Sequence, residues 1–221
     1  MGLRLKIKTN RFAVIVWKWW CRAFGGNRFF VPRGNHVNMD GAMRRVRVKI
    51  SGSGNVIRIL RPRYICNLRI FINGNNNRIE INEDCLLKDL TLWIEDDNNR
   101  ILIAGGTVFT GGGCQLNCIE GTELRIGKNC LFASNVNIRT GDSHSVLDSA
   151  GNRINLSKNI SIGNHVWFGQ NVTVLKGAGI GDDSVVATGA IVTQKFQGKS
   201  ILAGAPARVV KENIQWCYER I

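Results

Sequence analysis

Proline and histidine are scarce in this 221-residue sequence, with three residues of each, and no apolar run is long enough to cross a membrane. The apolar stretch at residues 12–17 ends at Lys18, and no small-residue cleavage site follows it, so we do not expect a secretory signal. Glycine is abundant, with 25 residues, and neither a charge run nor a low-complexity block divides the chain. This composition predicts one folded domain with many tight turns and no disordered linker.

The seven cysteines lack the spacing of a metal site. No two of them form a CxxC pair, and no histidine lies near Cys114 or Cys118 in the sequence, so we do not expect a zinc centre. An odd number of cysteines without a signal peptide indicates reduced thiols, and we expect the chain in the cytoplasm. A glycine-rich phosphate loop followed by a helix is also missing, which argues against nucleotide hydrolysis.

Basic residues outnumber acidic ones by 30 to 16, which gives a formal net charge of +14. Such an excess favours an anionic partner. The sequence has no zinc-finger pattern, no RNA-recognition signature and no basic region followed by heptads, so nucleic acid is not the expected partner. Many basic residues fall in the first 70 positions, near a tryptophan-rich stretch, which fits a membrane surface or an acidic glycan better. A basic surface without a partner is the alternative.

Residues 1–39 are a basic and aromatic segment that we separate from the repeats that follow. Within residues 4–24, tryptophans alternate with lysine and arginine, as in segments that lie on an anionic membrane surface. A helix that caps the end of the domain explains the same composition. The two roles are compatible, and the first implies peripheral contact with the inner face of the cytoplasmic membrane.

A period of six residues dominates the second half of the chain. Every sixth position is apolar, the next is often glycine or alanine, and a small or branched residue follows four positions after the apolar one. This period fits neither an amphipathic helix nor a hairpin sheet, but it fits a coil of three short strands that each point one apolar residue inward. The apolar positions are Ile126, Phe132, Ile138, Leu156, Ile162, Phe168, Val174, Ile180, Val186 and Val192.

A coarser period of 22 residues precedes the hexapeptides, and Ile57, Ile79 and Ile101 follow it. Each unit reads as one coil that is enlarged at a corner rich in glycine and asparagine, residues that tolerate left-handed backbone angles. We therefore predict one continuous solenoid over residues 40–197, in which Cys85 and Cys130 are small buried corner residues. A solenoid needs capped ends, and the spacing of apolar residues after position 208 predicts a C-terminal loop and capping helix over residues 198–221.

Residues 140–148, with the sequence TGDSHSVLD, interrupt the hexapeptide pattern. His144 and Ala150 occupy positions where the pattern requires an apolar residue, and the frame resumes at Leu156 without a change of phase. We predict that this stretch leaves the wall of the solenoid as a loop that carries His144. A surface histidine without a chemical role is the alternative.

Four segments within residues 138–212 resemble the hexapeptide-repeat acyltransferases, and in particular the branch that O-acetylates sugars and cell-surface polysaccharides. They are IRTGDSHSVLD, RINLSK, ISIGNHVWFGQNVTVLKGAGIGDDSVVATGAIVT and ILAGAPARVVKE. The resemblance implies an all-β solenoid, which is a left-handed parallel β-helix with a long-coil N-terminal half, an extruded active-site loop and short terminal helices.

The resemblance also implies an acetyl-CoA-dependent O-acetyltransferase that acts on a sugar hydroxyl of a capsule or lipopolysaccharide, or of its precursor. Transfer from a thioester to a hydroxyl requires removal of the hydroxyl proton as the oxygen attacks, and an imidazole suits that task. We therefore assign His144 as the general base and Asp142 or Asp148 as the carboxylate that orients its ring. Direct transfer needs neither a nucleophilic side chain nor a metal ion.

By the same resemblance, coenzyme A lies in a groove between two solenoids of a homotrimer, with Trp167 beside the acetyl end of the pantetheine arm. The alternative for Trp167 is a large residue that only covers the wall of the solenoid. His165 is interpreted separately, as a supporting or structural residue. This sequence has Thr193-Gln194-Lys195 where the family commonly has Thr-Lys-Asp. The difference weakens the assignment of individual coenzyme A ligands. The residues implicated in binding acetyl-CoA are Gly169, Gln170, Ala187, Thr188, Thr193, Lys195, Arg208 and Lys211.

Three other functions compete with O-acetylation. N-acetylation of an amino sugar or nucleotide sugar is the closest competitor, and a comparison of hydroxyl with amine acceptors distinguishes the two. A metal-dependent carbonic anhydrase of this fold requires three histidines across a subunit interface, and the spacing of His36, His144 and His165 gives no such set. A solenoid scaffold without activity is the non-enzyme alternative, and it predicts no binding of acetyl-CoA.

Overall fold

The computed structural model describes residues 25–221. All regular structure in this part of the chain is β-strand, and no helix there is long and apolar enough to cross a membrane. Residues 1–24 lie outside the described part, and with them most of the segment expected to cap the domain or to rest on a membrane. The role of that segment stays a prediction.

The strands wind into a three-sided solenoid in which each side is a sheet of stacked strands. Sheet A contains β1 (Arg28–Phe30), β4 (Arg47–Ser51), β7 (Arg69–Asn73), β10 (Leu90–Glu95), β13 (Cys114–Cys118), β16 (Asn137–Arg139), β19 (Thr173–Val174) and β22 (Ile191–Val192). Sheet B contains β2 (His36–Met39), β5 (Val56–Ile59), β8 (Arg78–Ile81), β11 (Arg100–Ile103), β14 (Glu123–Ile126), β17 (Ile160–Ile162), β20 (Gly179–Ile180) and β23 (Lys195–Phe196). Sheet C contains β3 (Met43–Arg44), β6 (Tyr64–Cys66), β9 (Leu86–Lys88), β12 (Val108–Phe109), β15 (Leu131–Phe132), β18 (Trp167–Phe168), β21 (Val185–Val186), β24 (Ser200–Gly204) and β25 (Ala207–Glu212).

Residues that repeat in the sequence lie directly above one another in the structure. Ile57, Ile79 and Ile101 pair in register on sheet B, as the 22-residue period predicts. Ile162 pairs with Ile180, 18 residues further on, which is one coil of three hexapeptides. The predicted left-handed parallel β-helix with a long-coil N-terminal half is therefore confirmed. Its first strands, β1 and β2, lie upstream of residue 40.

The core is a set of vertical columns, one on the inner face of each sheet. On sheet C, the rings of Phe109, Phe132 and Phe168 are fully buried and stack with centroid distances of 4.4 and 4.5 Å. Burial of each such ring contributes about 1.5–3 kcal/mol. Cys85 and Cys130 are buried as predicted, and desolvation raises the pKa of each thiol to about 11. Both thiols are therefore protonated at neutral pH and have a packing role.

A ladder of buried polar side chains supports the corner between sheets A and B. Asn77 Oδ1 accepts hydrogen bonds from the backbone N–H and the side-chain amide of Asn99, at 2.8 and 3.0 Å. Asn55 accepts from the N–H of Asn77 in the same way, and Asn99 accepts from the N–H of Thr122. Thr122 then donates to Thr140 Oγ1 at 2.6 Å. The ladder therefore satisfies corner N–H groups that the sheets leave unpaired, and it ends where residues 140–159 leave the wall.

The predicted C-terminal helix is wrong. The chain turns at Pro206, and β25 returns antiparallel along β24, the last parallel strand of sheet C. Residues 213–221 follow without regular structure. The reason is the exposed edge of β24: its unpaired backbone groups favour a covering strand, and Val209 and Val210 are β-branched residues that suit one.

The asparagine ladder predicts a stability effect for Asn77→Ala. The substitution removes the acceptor for two donors of Asn99 and the donor to Asp96 O, all at a buried corner. We expect the free energy of unfolding to fall by about 2–4 kcal/mol, because unsatisfied buried polar groups cost about 1–3 kcal/mol each. Chemical denaturation measures the change. Asn73→Ala, on the exposed face of β7, is the control, and equal effects of the two substitutions would contradict the assigned role of the ladder.

Candidate active site

The loop that carries His144 comprises residues 140–159 and leaves the corner between β16 and β17. Ile126 pairs with Ile162, 36 residues further on, instead of 18 as in the following coil. The loop therefore adds 18 residues, a multiple of six, which explains why the hexapeptide phase is unbroken. The predicted loop is confirmed, but the wall does not resume at Leu156. That side chain is 59% exposed, and the first buried wall residue after the loop is Ile160.

Asn155 holds the two arms of the loop together. Its Nδ2 donates to Asp142 Oδ2 at 3.0 Å and to the backbone oxygen of His144 at 2.8 Å. Its Oδ1 accepts from the N–H of Val146 at 2.8 Å. One amide side chain thus binds the carboxylate of Asp142 before the histidine and the backbone at and after the histidine.

Lys176 ties the loop to the next coil of the solenoid. Its ammonium group donates to Asp142 Oδ2 and, at 2.7 Å, to the backbone oxygen of Asn155. The hydrogen bond from Lys176 lowers the pKa of the Asp142 carboxyl below its ordinary value of 3.8, despite partial desolvation. Since a lowered pKa stabilises the ionised form, this anchor persists at neutral pH and is lost only as the pH falls through the depressed pKa of Asp142.

A second anchor lies at the far end of the loop. Arg153 Nη2 lies 2.6 Å from Glu120 Oε1, and Glu120 Oε2 accepts from the N–H of Ser157 at 3.2 Å. Glu120 belongs to the wall, immediately after β13. The loop is therefore fixed to the wall at both of its ends.

His144 lies exposed on this fixed loop. Its N–H donates to the backbone oxygen of Asp142 at 2.8 Å, so its backbone is bonded on both sides. Neither predicted carboxylate pairs with the imidazole ring in the described part of the chain. Asp142 binds Lys176 and Asn155, whereas Asp148 accepts from the N–H groups of Ala150 and Asn152 and closes the tip of the loop. Both aspartates thus shape the loop rather than orient the ring.

Trp167 lies on the outer face of sheet C, where it is 41% exposed. The C-terminal tail folds back beside it: Trp216 lies 5.9 Å from Trp167 and stacks on His165 at 4.0 Å. Trp216 Nε1 donates to the backbone oxygen of His165, and His165 Nδ1 lies 2.9 Å from Asp183 Oδ1. His165 therefore has a structural role, because it holds the tail against the wall.

His144 and Trp167 lie on opposite sides of one chain. In a three-sided coil, the corner between sheets A and B faces away from sheet C. A single solenoid therefore does not bring these two predicted site residues together.

Four of the eight predicted coenzyme A ligands lie at the corner between sheets C and A. Gly169 and Gln170 come after β18, while Ala187 and Thr188 occupy the same position one coil later. A Cβ atom at Gly169 would lie 2.7 Å from the backbone nitrogen of Thr188, so packing against the next coil requires this glycine.

The other four predicted ligands divide into two pairs. Arg208 and Lys211 lie on β25, at the end of sheet C, and share its side of the solenoid with Trp167. Thr193 follows β22 of sheet A, and Lys195 lies on β23 of sheet B. The structure thus places Thr193 and Lys195 away from the groups at the corner between sheets C and A.

Sequence reasoning missed Lys176 and Trp216. Lys176 lies 36 residues after Thr140, so the register that pairs Ile138 with Val174 places the lysine one coil beyond the start of the loop. The position of Lys176 beside the loop could have been predicted from that register. The position of Trp216 could not, because the irregular tail has no sequence period. Among the described residues, no group of three histidine, cysteine or acidic side chains is arranged to hold a metal ion.

The chain shares part of its sequence with known sugar O-acetyltransferases. No family model matches the chain. The chain is 35% identical over 109 residues to a polysialic acid O-acetyltransferase of Neisseria meningitidis, covering 48% of this chain and 51% of the relative. It is 37% identical over 100 residues to the galactoside O-acetyltransferase of Escherichia coli K12, covering 44% and 48%. The chain thus spans about half the length, or less, of the curated relatives it matches.

The likeness in three dimensions is more extensive. The crystal structure of a polysialic acid O-acetyltransferase superposes with a TM-score of 0.74 at 27% identity, covering 88% of this chain and 92% of that one. In sequence and in fold the chain resembles the hexapeptide-repeat acyltransferases, and the structural match extends over most of the length of both chains. The relatives named here are sugar O-acetyltransferases, and the chain is similar to that branch.

Lys176→Met tests whether the lysine anchors the loop. We expect faster proteolytic cleavage within residues 140–159, because the loop loses its bonds to the next coil. The melting temperature should change by no more than about 4 °C, since a partly exposed ion pair contributes about 0–1 kcal/mol. Lys88→Met, an exposed lysine on sheet C, is the control. Unchanged cleavage of the loop in Lys176→Met would contradict the anchoring role.

Proposed function

We propose that the protein is an acetyl-CoA-dependent O-acetyltransferase that acts on a sugar hydroxyl of an acidic cell-surface polysaccharide or its precursor. The observation that carries the proposal is the loop at residues 140–159, which holds the backbone of His144 rigidly by hydrogen bonds on both sides and leaves its imidazole exposed. The hydrogen bonds of Asn155 and Lys176 fix the part of the loop that contains His144. A preorganised, accessible imidazole is what proton removal from a hydroxyl requires.

In the proposed reaction, a ring nitrogen of His144 accepts the proton of the sugar hydroxyl as its oxygen attacks the thioester carbonyl. A C–O bond to the acetyl group forms, the C–S bond breaks, and the imidazolium returns the proton to the departing thiolate. The atoms balance without a covalent enzyme intermediate. The buried thiols of Cys85 and Cys130, whose pKa values are about 11, are unsuited to act as nucleophiles.

We further propose that the site is shared between subunits of a cyclic trimer. His144 and Trp167 lie on opposite sides of the solenoid. For these two side chains to meet, the loop of one subunit must lie over sheet C of the next. Such a head-to-tail contact closes into a ring when the rotation is threefold. The outer face of sheet C suits an interface because its outward residues are mainly apolar, and they include Leu86, Val108, Leu131, Val185 and Ile201.

The corner between sheets C and A supports a donor groove beside that interface. Small residues at Gly169 and Ala187 leave the backbone of successive coils accessible to an extended pantetheine arm. Arg208 and Lys211 on β25 supply cations for phosphate groups at the end of the same side. Trp167 and Trp216 offer an aromatic surface along this side for the thioester end. Thr193 and Lys195 are the weakest members of the predicted ligand set, because they lie on other sides.

The nature of the acceptor follows from charge and from the relatives. A net charge of +14 favours an anionic acceptor over a neutral one. Polysialic acid, the acceptor named for the meningococcal relative, is a carboxylated polymer. An acidic glycan is therefore the acceptor class that fits best.

His144→Ala tests the proposed base. We expect transfer from acetyl-CoA to a glycan hydroxyl to fall by about 100-fold or more, since general base catalysis contributes about 10²–10⁴-fold. Binding of acetyl-CoA, measured by calorimetric titration, should be unchanged, because the donor groove lies elsewhere. His36→Ala, an exposed histidine on β2, is the matched control. Full turnover by the His144 variant would contradict the assignment, and a preference for amine acceptors would show N-acetylation instead.

A further inference from the structure

The outer face of sheet A carries two columns of side chains that run along the solenoid axis. In the first column, Arg28, Arg47 and Arg69 lie in register on consecutive strands. In the second, two residues along each strand, the order is Phe30, Lys49, Phe71 and Trp93. We call this surface the sheet A face. The register therefore places a column of cations beside a column made mainly of aromatic rings.

The cations of the sheet A face are not neutralised. Within the described residues, Arg28, Arg47, Lys49 and Arg69 form no ion pair, and Glu95 is the single acidic residue in the strands of sheet A. Sheet B is different. Its Arg58 and Arg78 both pair with Glu80, and its Arg125 pairs with Glu123. Among the described residues, Arg100 is an arginine of sheet B without an ion pair, but three of its neighbours on that sheet are paired. The unpaired cations along the sheet A face therefore indicate an anionic ligand for that face.

The aromatic residues of the sheet A face lie outside the core, where Phe30 and Trp93 are exposed and Phe71 is half-buried. Phe30 is 64% exposed and Trp93 is 41% exposed, and the rings of Phe71 and Trp93 lie 5.2 Å apart in a tilted arrangement. A flat aromatic surface packs well against the apolar face of a sugar ring, while arginine binds a carboxylate through two parallel hydrogen bonds. The combination fits a polymer of sugars that bear carboxylates.

The sheet A face leads to the loop of His144. The second column continues through Asn117 to Arg139 on β16, the last strand before the loop. A cleft of about 270 Å³ lies there, lined by Trp93, Asn117, Arg139 and by Ser143, the residue before His144. From β1 to β16 the face spans six strands, or about 24 Å at the strand spacing of about 4.8 Å. It is long enough for several sugar residues.

The N-terminal segment of this chain does not suit the sheet A face. Residues 1–24 contain six lysine and arginine residues and no acidic residue. Their positive charge is repelled by the arginine column, and the same holds for a second copy of the face itself. An anionic polymer is the occupant that the charge favours.

We propose that the sheet A face binds an extended polyanionic glycan and guides it into the cleft beside His144. The proposal rests on the proposed function, and it adds a binding site remote from the reacting hydroxyl. Carboxylates of the glycan pair with Arg28, Arg47 and Arg69, and its sugar rings lie over Phe71 and Trp93. The site therefore favours long chains over short oligosaccharides of the same sugar.

Two triple variants test the proposal with labelled polysialic acid, a sialic acid trimer and a neutral dextran as probes. Arg28→Gln, Arg47→Gln and Arg69→Gln together remove the arginine column. Arg58→Gln, Arg78→Gln and Arg100→Gln remove the same charge from three consecutive strands of sheet B, on which Arg78 and Arg100 lie in register. All six side chains are exposed, so both variants should fold, and their melting temperatures check this. Binding is measured by fluorescence anisotropy without acetyl-CoA, over a range of salt concentrations.

We expect the sheet A variant to weaken binding of long polysialic acid by roughly tenfold, with a shallower salt dependence, and the sheet B variant by less than about threefold. The affinity for long chains should fall more than the affinity for the trimer, and dextran should not bind. Equal losses in the two variants would overturn the proposal, because the effect would then be unspecific surface charge. Tighter binding of single-stranded DNA than of polysialic acid, with the same dependence on sheet A, would also overturn it.

Acetyl transfer is measured separately, so the two proposals can fail separately. Glycan binding that depends on sheet A, without transfer to any hydroxyl, supports the binding surface and contradicts the proposed function. If acetyl transfer persists and the affinity for long chains is unchanged in the sheet A variant, the result supports the proposed function and overturns the binding surface.

Discussion

The stacking of each coil directly on the one before is the constraint on which the rest of the structure depends. Parallel strands in exact register place equivalent residues at a spacing of about 4.8 Å, so every inward position becomes a column. The stacked rings of Phe109, Phe132 and Phe168 show this for the core, and the chain from Asn55 through Asn77 and Asn99 shows it for a corner. An apolar column and a polar ladder thus arise from the same register.

The same register builds the candidate site and the surface that leads to it. The loop enters at the end of the polar ladder, at Thr140, and Lys176 reaches it from the adjoining coil. The outer columns of sheet A bring Arg28, Arg47 and Arg69 into line, although roughly twenty residues separate each from the next along the chain. One inserted loop and a few outward side chains can therefore determine the function of such a solenoid while its core stays the same.

Much of the fold could be predicted from the sequence, because register converts a linear period into a spatial one. The inward columns, the corner position of Cys85 and the departure of His144 from the wall all followed from the six- and 22-residue spacings. Leu156 was misjudged because an apolar residue in phase does not have to be in the wall. The strand at Ala207–Glu212 was taken for a helix because its spacing fits both, and the need to cover the edge of β24 appears only in three dimensions.

The candidate site was less predictable, because its contacts join residues from separate coils. The pairing of Asp142 with Lys176, rather than with His144, depends on side-chain geometry that no period encodes. The sequence alone does not show that Trp167 and the loop lie on opposite sides, because this depends on which sheet each strand joins. The resemblance suggested the chemistry, and the structure adds that His144 and Trp167 lie on opposite sides of one chain.

Mixed trimers test most directly whether the site is shared between subunits. His144→Ala and Trp167→Ala chains would be prepared separately, unfolded together in equal amounts, and reassembled. If the loop of one subunit acts over sheet C of the next, about a quarter of the sites pair an intact histidine with an intact tryptophan. Neither variant should transfer acetyl groups alone, and the mixture should recover about a quarter of the wild-type rate. Recovery no greater than that of the separate variants would contradict a site shared between subunits.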